Sequence, residues 1–261
     1  MRKNIRRVEG LRLAYYRSKP NSAFWDAQWK MSFPKKSFEK AEQGHLWQFQ
    51  ELFAKYLPRE GRILEAGCGI GQYVLALKVL GYDIEGVDWA PETIKAVKAQ
   101  YPHLSIRTAD VTKLDVPDGF YKGYISIGVV EHSQKGPALF LKEAWRVLGT
   151  DGLAFISVPF FNPLRQLKAK MGFYRGWING LDFYQYAFTK AEFENLLQLS
   201  GFEIIDDMLY DYFKGVGDEI PLMRKIFRLR GIGWRLKRGI KSLKFGRNLG
   251  HMILFVCRKV L

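Results

Sequence analysis

The sequence is poor in the features that mark secreted, zinc-binding and membrane-spanning proteins. Its 261 residues include two cysteines, Cys68 and Cys257, which are too few for a disulfide framework or a zinc cluster, so we expect no metal site. The N-terminus is basic but lacks the uninterrupted apolar region of a signal peptide. No apolar run approaches the roughly 18 residues that cross a bilayer. We therefore expect a cytoplasmic protein.

Acidic residues are missing from one end of the chain. Residues 221–261 contain 12 Lys and Arg and no Asp or Glu, and residues 1–40 contain 11 bases and 3 acids. The formal net charge of the whole chain is +15, so the part between these ends is mildly acidic. The basic character belongs to the two ends and not to the centre.

The segment 221–245 interleaves these bases with apolar residues at helical spacing, for example Leu222, Ile226 and Leu229. This pattern predicts a basic amphipathic helix, which is typical of peripheral contact with an anionic membrane, here the inner face. A helix with solvated charges and a surface that binds RNA phosphates are the two alternatives.

The centre of the chain alternates strand-like and helix-like segments, which predicts a doubly wound, mostly parallel α/β sheet. Pro91 and Pro137 are placed to begin helices, and Thr189 with Glu192 forms a capping box for another. Ligands of such sheets bind beyond the carboxyl ends of the strands. The predicted strands are 62–66, 83–88, 104–110, 124–130, 153–159, 202–206 and 251–257.

The stretch ILEAGCGIGQYV, residues 63–74, places three glycines between the first strand and its helix. A triphosphate loop needs a Lys and a Ser or Thr after the last glycine, but Gln72 and Tyr73 follow Gly71. A dinucleotide loop needs its third glycine at position 72, one residue later than Gly71. A tight turn without a ligand is the remaining structural alternative.

Carboxylates stand at the carboxyl ends of the first three strands. They are Glu65, Asp88 and Asp110, and no basic residue accompanies them. Asp88 is placed to accept hydrogen bonds from ribose hydroxyls, and Asp110 from an adenine amine. Three acids without a base favour a nucleoside that carries no phosphate.

Five motifs in order give the chain a family resemblance. ExGxGxG at 65–71, GVD at 86–88, AD at 109–110, GVVEH at 128–132 and the run 139–159 resemble class I S-adenosylmethionine-dependent methyltransferases, in the branch that methylates small molecules and lipids. The resemblance implies a seven-stranded Rossmann-like sheet in the order 3-2-1-4-5-7-6, with the last strand antiparallel. The implied cofactor is S-adenosyl-L-methionine, held by Glu65, Gly67, Cys68, Gly69, Gly71, Asp88, Trp89, Asp110, Val111 and Gly128.

Two residues after the fourth strand are candidate catalytic groups. An unperturbed histidine titrates near about 6.5, which suits His132 to a role as general base beside Glu131. The alternative is that the two residues cap a helix and pack beneath the site. The Asp/Asn-Pro-Pro-aromatic motif of nucleic acid amine methyltransferases is absent from this position, which makes nucleic acid a less favoured substrate.

We divide the chain into four parts by composition. Residues 1–58 form a basic, helical N-terminal lid, and residues 59–206 form the cofactor-binding core with an aromatic substrate cap at 160–188. Residues 207–250 form the basic amphipathic insertion, and residues 251–261 return to the sheet. Trp25 and Trp29 belong to the lid and either face the cofactor or pack in the core; Trp89 likewise either packs against adenine or lies in the core.

The resulting hypothesis is an enzyme that transfers a methyl group to an oxygen or nitrogen of a small-molecule or lipid-linked acceptor. The alternative is a non-catalytic protein with the same fold that binds RNA or anionic membrane through its basic arms. The intact set of Glu65, Asp88, Asp110 and three glycines favours the enzyme.

Overall fold

The computed structural model describes residues 5–17, 21–31, 35–226 and 248–260, which contain ten strands, ten α-helices and two short 3₁₀ helices, Trp47–Phe49 and Val130–His132. The strands are β1 (Ile5–Glu9), β2 (Arg12–Arg17), β3 (Ile63–Ala66), β4 (Ile84–Asp88), β5 (Ile106–Thr108), β6 (Tyr121–Ile127), β7 (Leu148–Pro159), β8 (Asp182–Ala187), β9 (Phe202–Tyr210) and β10 (Met252–Lys259). The helices are α1 (Ser22–Met31), α2 (Lys35–Ala41), α3 (Gln50–Tyr56), α4 (Gln72–Val79), α5 (Pro91–Gln100), α6 (Ala138–Val147), α7 (Pro163–Lys170), α8 (Lys190–Leu199), α9 (Tyr212–Glu219) and α10 (Pro221–Ile226).

The central sheet has seven strands in the order β5-β4-β3-β6-β7-β10-β9. Its first five strands run parallel, whereas β10 is antiparallel to both of its neighbours, β7 and β9. The predicted seven-stranded, mostly parallel sheet and its strand order are thereby confirmed. Side chains on both faces of the central strands are buried, as the near-continuous apolar runs of parallel strands require.

Helices cover both faces of this sheet and create two hydrophobic cores. Residues of α3, α4 and α5 pack on one face, where Phe53 and Val74 are fully buried. Residues of α6 and α8 pack on the other face, where Leu141 and Phe193 are fully buried. The layered arrangement leaves the carboxyl ends of β3, β4, β5 and β6 at one edge, where the connecting loops carry the candidate site residues.

The N-terminal segment differs from the helical lid that the sequence predicts. Strands β1 and β2 form a hairpin before α1, and β2 pairs antiparallel with β8 to make a second sheet in the order β1-β2-β8. Strand β8 lies within the predicted aromatic cap 160–188, and its pairing with β2 joins that cap to the N-terminal hairpin. Pairing between such distant segments, Leu13 with Ala187 for example, leaves no local signal in either one.

The C-terminal insertion is shorter than predicted at its first boundary. Strand β9 continues to Tyr210, beyond the predicted end at 206, and α9 and α10 follow it. Of the predicted amphipathic segment, residues 227–245 lie outside the described residues. In the described parts of the chain, we find no helix with the length and apolar character needed to span a bilayer.

Candidate functional site

The glycine loop connects β3 to α4 through three left-handed backbone positions. Gly67, Gly69 and Gly71 have φ angles of 80°, 52° and 71°, a region that residues with a Cβ rarely adopt. A Cβ on Gly67 would lie 2.4 Å from Cγ2 of Val129, which belongs to the loop after β6. The bare backbone therefore allows the loops that follow β3 and β6 to approach each other closely.

Asp88, the last residue of β4, fixes the middle of the glycine loop. Its Oδ2 accepts a hydrogen bond from the Gly69 amide at 2.8 Å, and its Oδ1 accepts one from the Ala90 amide at 3.0 Å. Burial raises the pKa of this carboxyl, and the charge of Asp26 adds to the shift. Each oxygen of an ionised carboxylate retains capacity for a further hydrogen bond.

Glu65 lies inside the protein beneath the same loop. Its Oε2 accepts a hydrogen bond from the Val74 amide at 3.1 Å, which ties β3 to the first turn of α4. Burial raises the pKa of Glu65 well above its ordinary value, and the nearby charge of Asp88 raises it further. Cys68 is also buried, and its Sγ would meet a Cβ on Gly86 at 2.9 Å, so its side chain points toward β4.

The loops after β4 and β5 bring three more candidate residues to this edge. Asp110 is exposed, and its Oδ1 accepts hydrogen bonds from the amide and hydroxyl of Thr112 at 2.8 and 2.7 Å. Val111 beside it is buried. Trp89 is 48% exposed, so of its two predicted roles the core position is wrong, and the stacking role stays a prediction.

The loop after β6 forms a short 3₁₀ turn, Val130–His132, that directs two titratable side chains inward. Glu131 is 2% exposed, and its Oε2 has no hydrogen-bond partner among the described residues. Its Oε1 lies 3.9 Å from Nε2 of His132. A Cβ added to Gly128 would lie 3.5 Å from the same oxygen. A buried carboxyl oxygen without a partner is costly, which makes Glu131 a candidate for contact with a ligand.

Burial changes the ionisation of both residues in the same turn. It raises the pKa of Glu131 to about 8, although the charge of Lys214 opposes the shift. It lowers the pKa of His132 to about 4, against the carbonyls of Tyr184 and Gly128, which favour the protonated ring. Nδ1 of His132 lies 2.7 Å from the Tyr184 carbonyl oxygen, so in the neutral ring Nδ1 carries the proton and donates it there. Nε2 is then the unprotonated nitrogen, and it lies 3.9 Å from Oε1 of Glu131.

Helix α1 covers the site, and two of its aromatic side chains reach the candidate residues. The ring of Trp29 would lie 2.5 Å from a Cβ on Gly69. Trp25 stacks against Trp29 with ring centroids 6.5 Å apart and meets His132 edge-on at 4.8 Å. A continuous aromatic layer thus extends from the glycine loop to the turn after β6.

A polar contact that sequence reasoning missed holds α1 in this place. Oδ1 of Asp26 accepts hydrogen bonds from the amide and hydroxyl of Thr93 at 2.9 and 2.8 Å, at the first turn of α5. Tyr184 of β8 was missed as well, although its ring lies 5.0 Å from that of His132. Both contacts join residues more than 50 positions apart in sequence, and neither residue belongs to a motif.

Comparison with known proteins gives consistent matches. Residues 64–156 match the family model described as a methyltransferase domain. A probable S-adenosylmethionine-dependent methyltransferase of Mycolicibacterium smegmatis is 28% identical over 183 residues, which cover 68% of this chain and 66% of that protein. Another of Mycobacterium tuberculosis is 29% identical over 44% of this chain and 41% of its own length. The matched region thus spans less than two thirds of either relative.

A solved structure extends the likeness to nearly the whole chain. In a complex between the Haloferax volcanii Trm112 methyltransferase activator and a methyltransferase, the similar chain has a TM-score of 0.59 and 18% identity. The match covers 91% of this chain and 98% of that one. At this level of identity the likeness establishes the fold alone.

Proposed function

We propose that the chain is a class I S-adenosylmethionine-dependent methyltransferase, which transfers a methyl group from S-adenosylmethionine to an acceptor; the match of residues 64–156 to a methyltransferase domain supports this proposal. The observation that carries this proposal is the meeting of the glycine loop, Asp88 and the Glu131–His132 turn at one edge of the sheet. The glycine loop and Asp88 would hold the cofactor, and the unpartnered carboxyl would face the acceptor. Residues that bind and residues that move a proton would thus be neighbours.

The residues at this edge fit the cofactor that the family implies. When bound, S-adenosylmethionine supplies a methyl group made electrophilic by its sulfonium centre. Asp88 would accept hydrogen bonds from the ribose hydroxyls, Asp110 and Val111 would contact the adenine edge, and Trp89 would pack against the adenine ring. Burial raises the pKa values of Asp88 and Glu65, and a neighbouring acid adds a smaller contribution to each shift; a cationic ligand beside them would favour their ionised forms.

Glu131 and His132 would act on the acceptor. An oxygen or nitrogen acceptor must lose a proton, and a base with a pKa near the working pH is the most effective. Glu131, with a pKa of about 8, meets this condition better than His132, whose neutral ring would orient the carboxyl. We therefore assign proton acceptance to Glu131 and a positioning role to His132.

The acceptor class we propose is a small or lipid-linked molecule. Trp25, Trp29 and Tyr184 form an aromatic cover over the site, and such a cover favours a compact acceptor over a folded nucleic acid. Peripheral contact with the inner membrane face through 221–245, in an otherwise cytoplasmic protein, belongs to the same proposal. It is supported by the charge pattern of that segment.

Calorimetry with S-adenosylmethionine, S-adenosylhomocysteine and NADH tests the cofactor assignment. We expect both sulfur nucleosides to bind, NADH not to bind, and Asp88→Asn to weaken binding more than tenfold. Asp115→Asn, an exposed carboxylate after β5, is the matched control. Incubation with methyl-labelled cofactor and separate aqueous and lipid extracts then identifies the acceptor class. Saturable NADH binding, or equal loss in both variants, would contradict the proposal.

A further inference from the structure

A second concave site lies away from the glycine loop, between the β1–β2 hairpin and α7. The cavity has a volume of 860 Å³, within the range of small-molecule sites. Most of the residues that line it come from β1, the hairpin turn, α7 and the loop that precedes β8, and Phe161 and Thr189 complete the lining. They include neither the glycine loop nor the Glu131–His132 turn, so the proposed methyl transfer does not use this cavity.

Three cations line the cavity, and no acidic residue is among the described residues that line it. Arg7, Lys170 and Arg175 are exposed, and none of them forms an ion pair with any described residue. The polar residues that complete the wall are uncharged: Gln166, Asn179 and Thr189. This charge pattern favours an anion.

Two of these cations face each other across a backbone bridge. Arg7 and Arg175 are directly paired in an isolated antiparallel bridge. Side chains opposite each other in such a pair have Cβ atoms roughly 4.5–5.5 Å apart, and like charges there repel. An anion held between the two guanidinium groups would convert this repulsion into two attractive contacts. Guanidinium groups are particularly suited to phosphate, because they bind it through two parallel hydrogen bonds.

A buried ionic cluster behind the wall adds to the positive potential. Glu219 forms ion pairs with Arg6, with Arg165 at 3.1 Å and with Lys168 at 3.0 Å. Tyr174, which lines the cavity, donates a hydrogen bond to the same carboxylate at 2.5 Å. Asp218 lies beside the same cluster, 3.5 Å from His251, which contacts Arg165. Three cations against the carboxylates of Glu219 and Asp218 still leave a net positive charge behind the cavity wall.

The rim of the cavity is apolar and open to solvent. Trp177 is 84% exposed and Leu11 is 68% exposed, and both line the cavity. Large apolar side chains this exposed around a charged site are typical of surfaces that contact an apolar ligand or a membrane. The geometry points to a site for a phosphate-bearing group attached to an apolar chain, with the phosphate between Arg7 and Arg175 and the chain against Trp177 and Leu11.

Two probes test this site in the full-length protein, and neither requires the cofactor. Inorganic pyrophosphate, titrated by calorimetry, represents a soluble phosphate compound, and vesicles of phosphatidylglycerol with phosphatidylcholine represent a lipid headgroup. We expect Arg7→Gln with Arg175→Gln to weaken binding of at least one probe more than tenfold. The control is Lys98→Gln with Lys142→Gln, which removes two exposed charges that do not line the cavity; it should change binding less than twofold.

The two arms distinguish the source of the ligand. Loss of pyrophosphate binding alone identifies a soluble phosphate compound, and loss of vesicle binding identifies a lipid headgroup. Because the variant relieves a repulsion, its unliganded thermal stability should not fall. If the thermal stability does fall, the same binding measurement is made with Lys170→Gln, which removes one cavity charge, and with Lys142→Gln as its control. Equal binding by variant and control, or no binding of either probe, would overturn the site and leave the proposed methyl transfer unaffected.

Discussion

Replacing Glu131 by Gln should change how the stability of the protein depends on pH. The carboxyl is 2% exposed, and one of its oxygens has no partner among the described residues. Burial raises its pKa from 4.5 to about 8, so the folded protein holds this proton more tightly than the unfolded chain. Stability from this group is therefore complete below the unfolded pKa and is lost progressively as the pH rises from the unfolded value to the folded one.

The size of the loss follows from the pKa difference. Each pKa unit corresponds to about 1.36 kcal/mol, so the shift from 4.5 to about 8 represents roughly 5 kcal/mol in all. The loss begins near the unfolded pKa and ends near the folded one. Between about pH 6 and about pH 9 the linkage relation gives a decrease of about 3 kcal/mol in the free energy of unfolding.

Urea denaturation of wild type and Glu131→Gln across this pH range measures the effect. Other titrating groups contribute to both curves, so the difference between them isolates Glu131. We expect the free energy of unfolding of wild type to fall by about 3 kcal/mol relative to the variant. Glu60→Gln, an exposed carboxyl, should follow wild type at every pH. A difference curve without slope would refute the reasoning, because it would mean that Glu131 ionises as easily inside the protein as in water.

Three further predictions concern the site. Gly67→Ala should abolish cofactor binding and lower the melting temperature, because a φ of 80° and a Cβ only 2.4 Å from Val129 strain the loop. Calorimetry measures the binding and a thermal melt the stability; an unchanged melting temperature would contradict the prediction. Methyl transfer should rise with pH to a plateau above about 8, and Glu131→Gln should lower the rate about 10²–10⁴-fold; a pH-independent rate would exclude Glu131 as the base. Asp26→Ala should speed hydrogen exchange of the α1 backbone amides, because it removes the two hydrogen bonds from Thr93. Asp115→Ala, the control, should leave that exchange unchanged. Equal exchange rates in the two variants would show that other contacts hold the helix.

The parallel part of the fold could be predicted because each of its signals is local. An apolar run, a turn and a helical period lie within about ten residues of one another, as at β3, Gly67 and α4. The hairpin and β8 could not be predicted in this way. Strand β2 has the sequence RLAYYR, and its pairing depends on residues some 170 positions away, which no local pattern specifies.

The same distinction separates the two kinds of site residue. Motif residues such as Asp88 and Glu131 could be selected because the carboxyl ends of parallel strands meet at one edge. The ionisation of these residues could not be predicted from the sequence, since it depends on burial. The pKa of His132 is lowered to about 4, far from the ordinary value on which its predicted role as base relied. Asp26 and Tyr184 could be identified as site residues only from the structure, in which α1 and β8 lie over that edge.

The position of β10 in the sheet has a consequence for the order of folding. Residues 252–259 form a strand between β7 and β9, and Ile253, Leu254, Phe255 and Val256 are fully buried there. During synthesis from the N-terminus, β9 therefore emerges before the strand that joins it to the sheet, and β7 presents an open edge until then. Open edges pair with other chains. We expect chains arrested before residue 252 to aggregate through β7 and to require a chaperone, although every residue of the glycine loop has already been made.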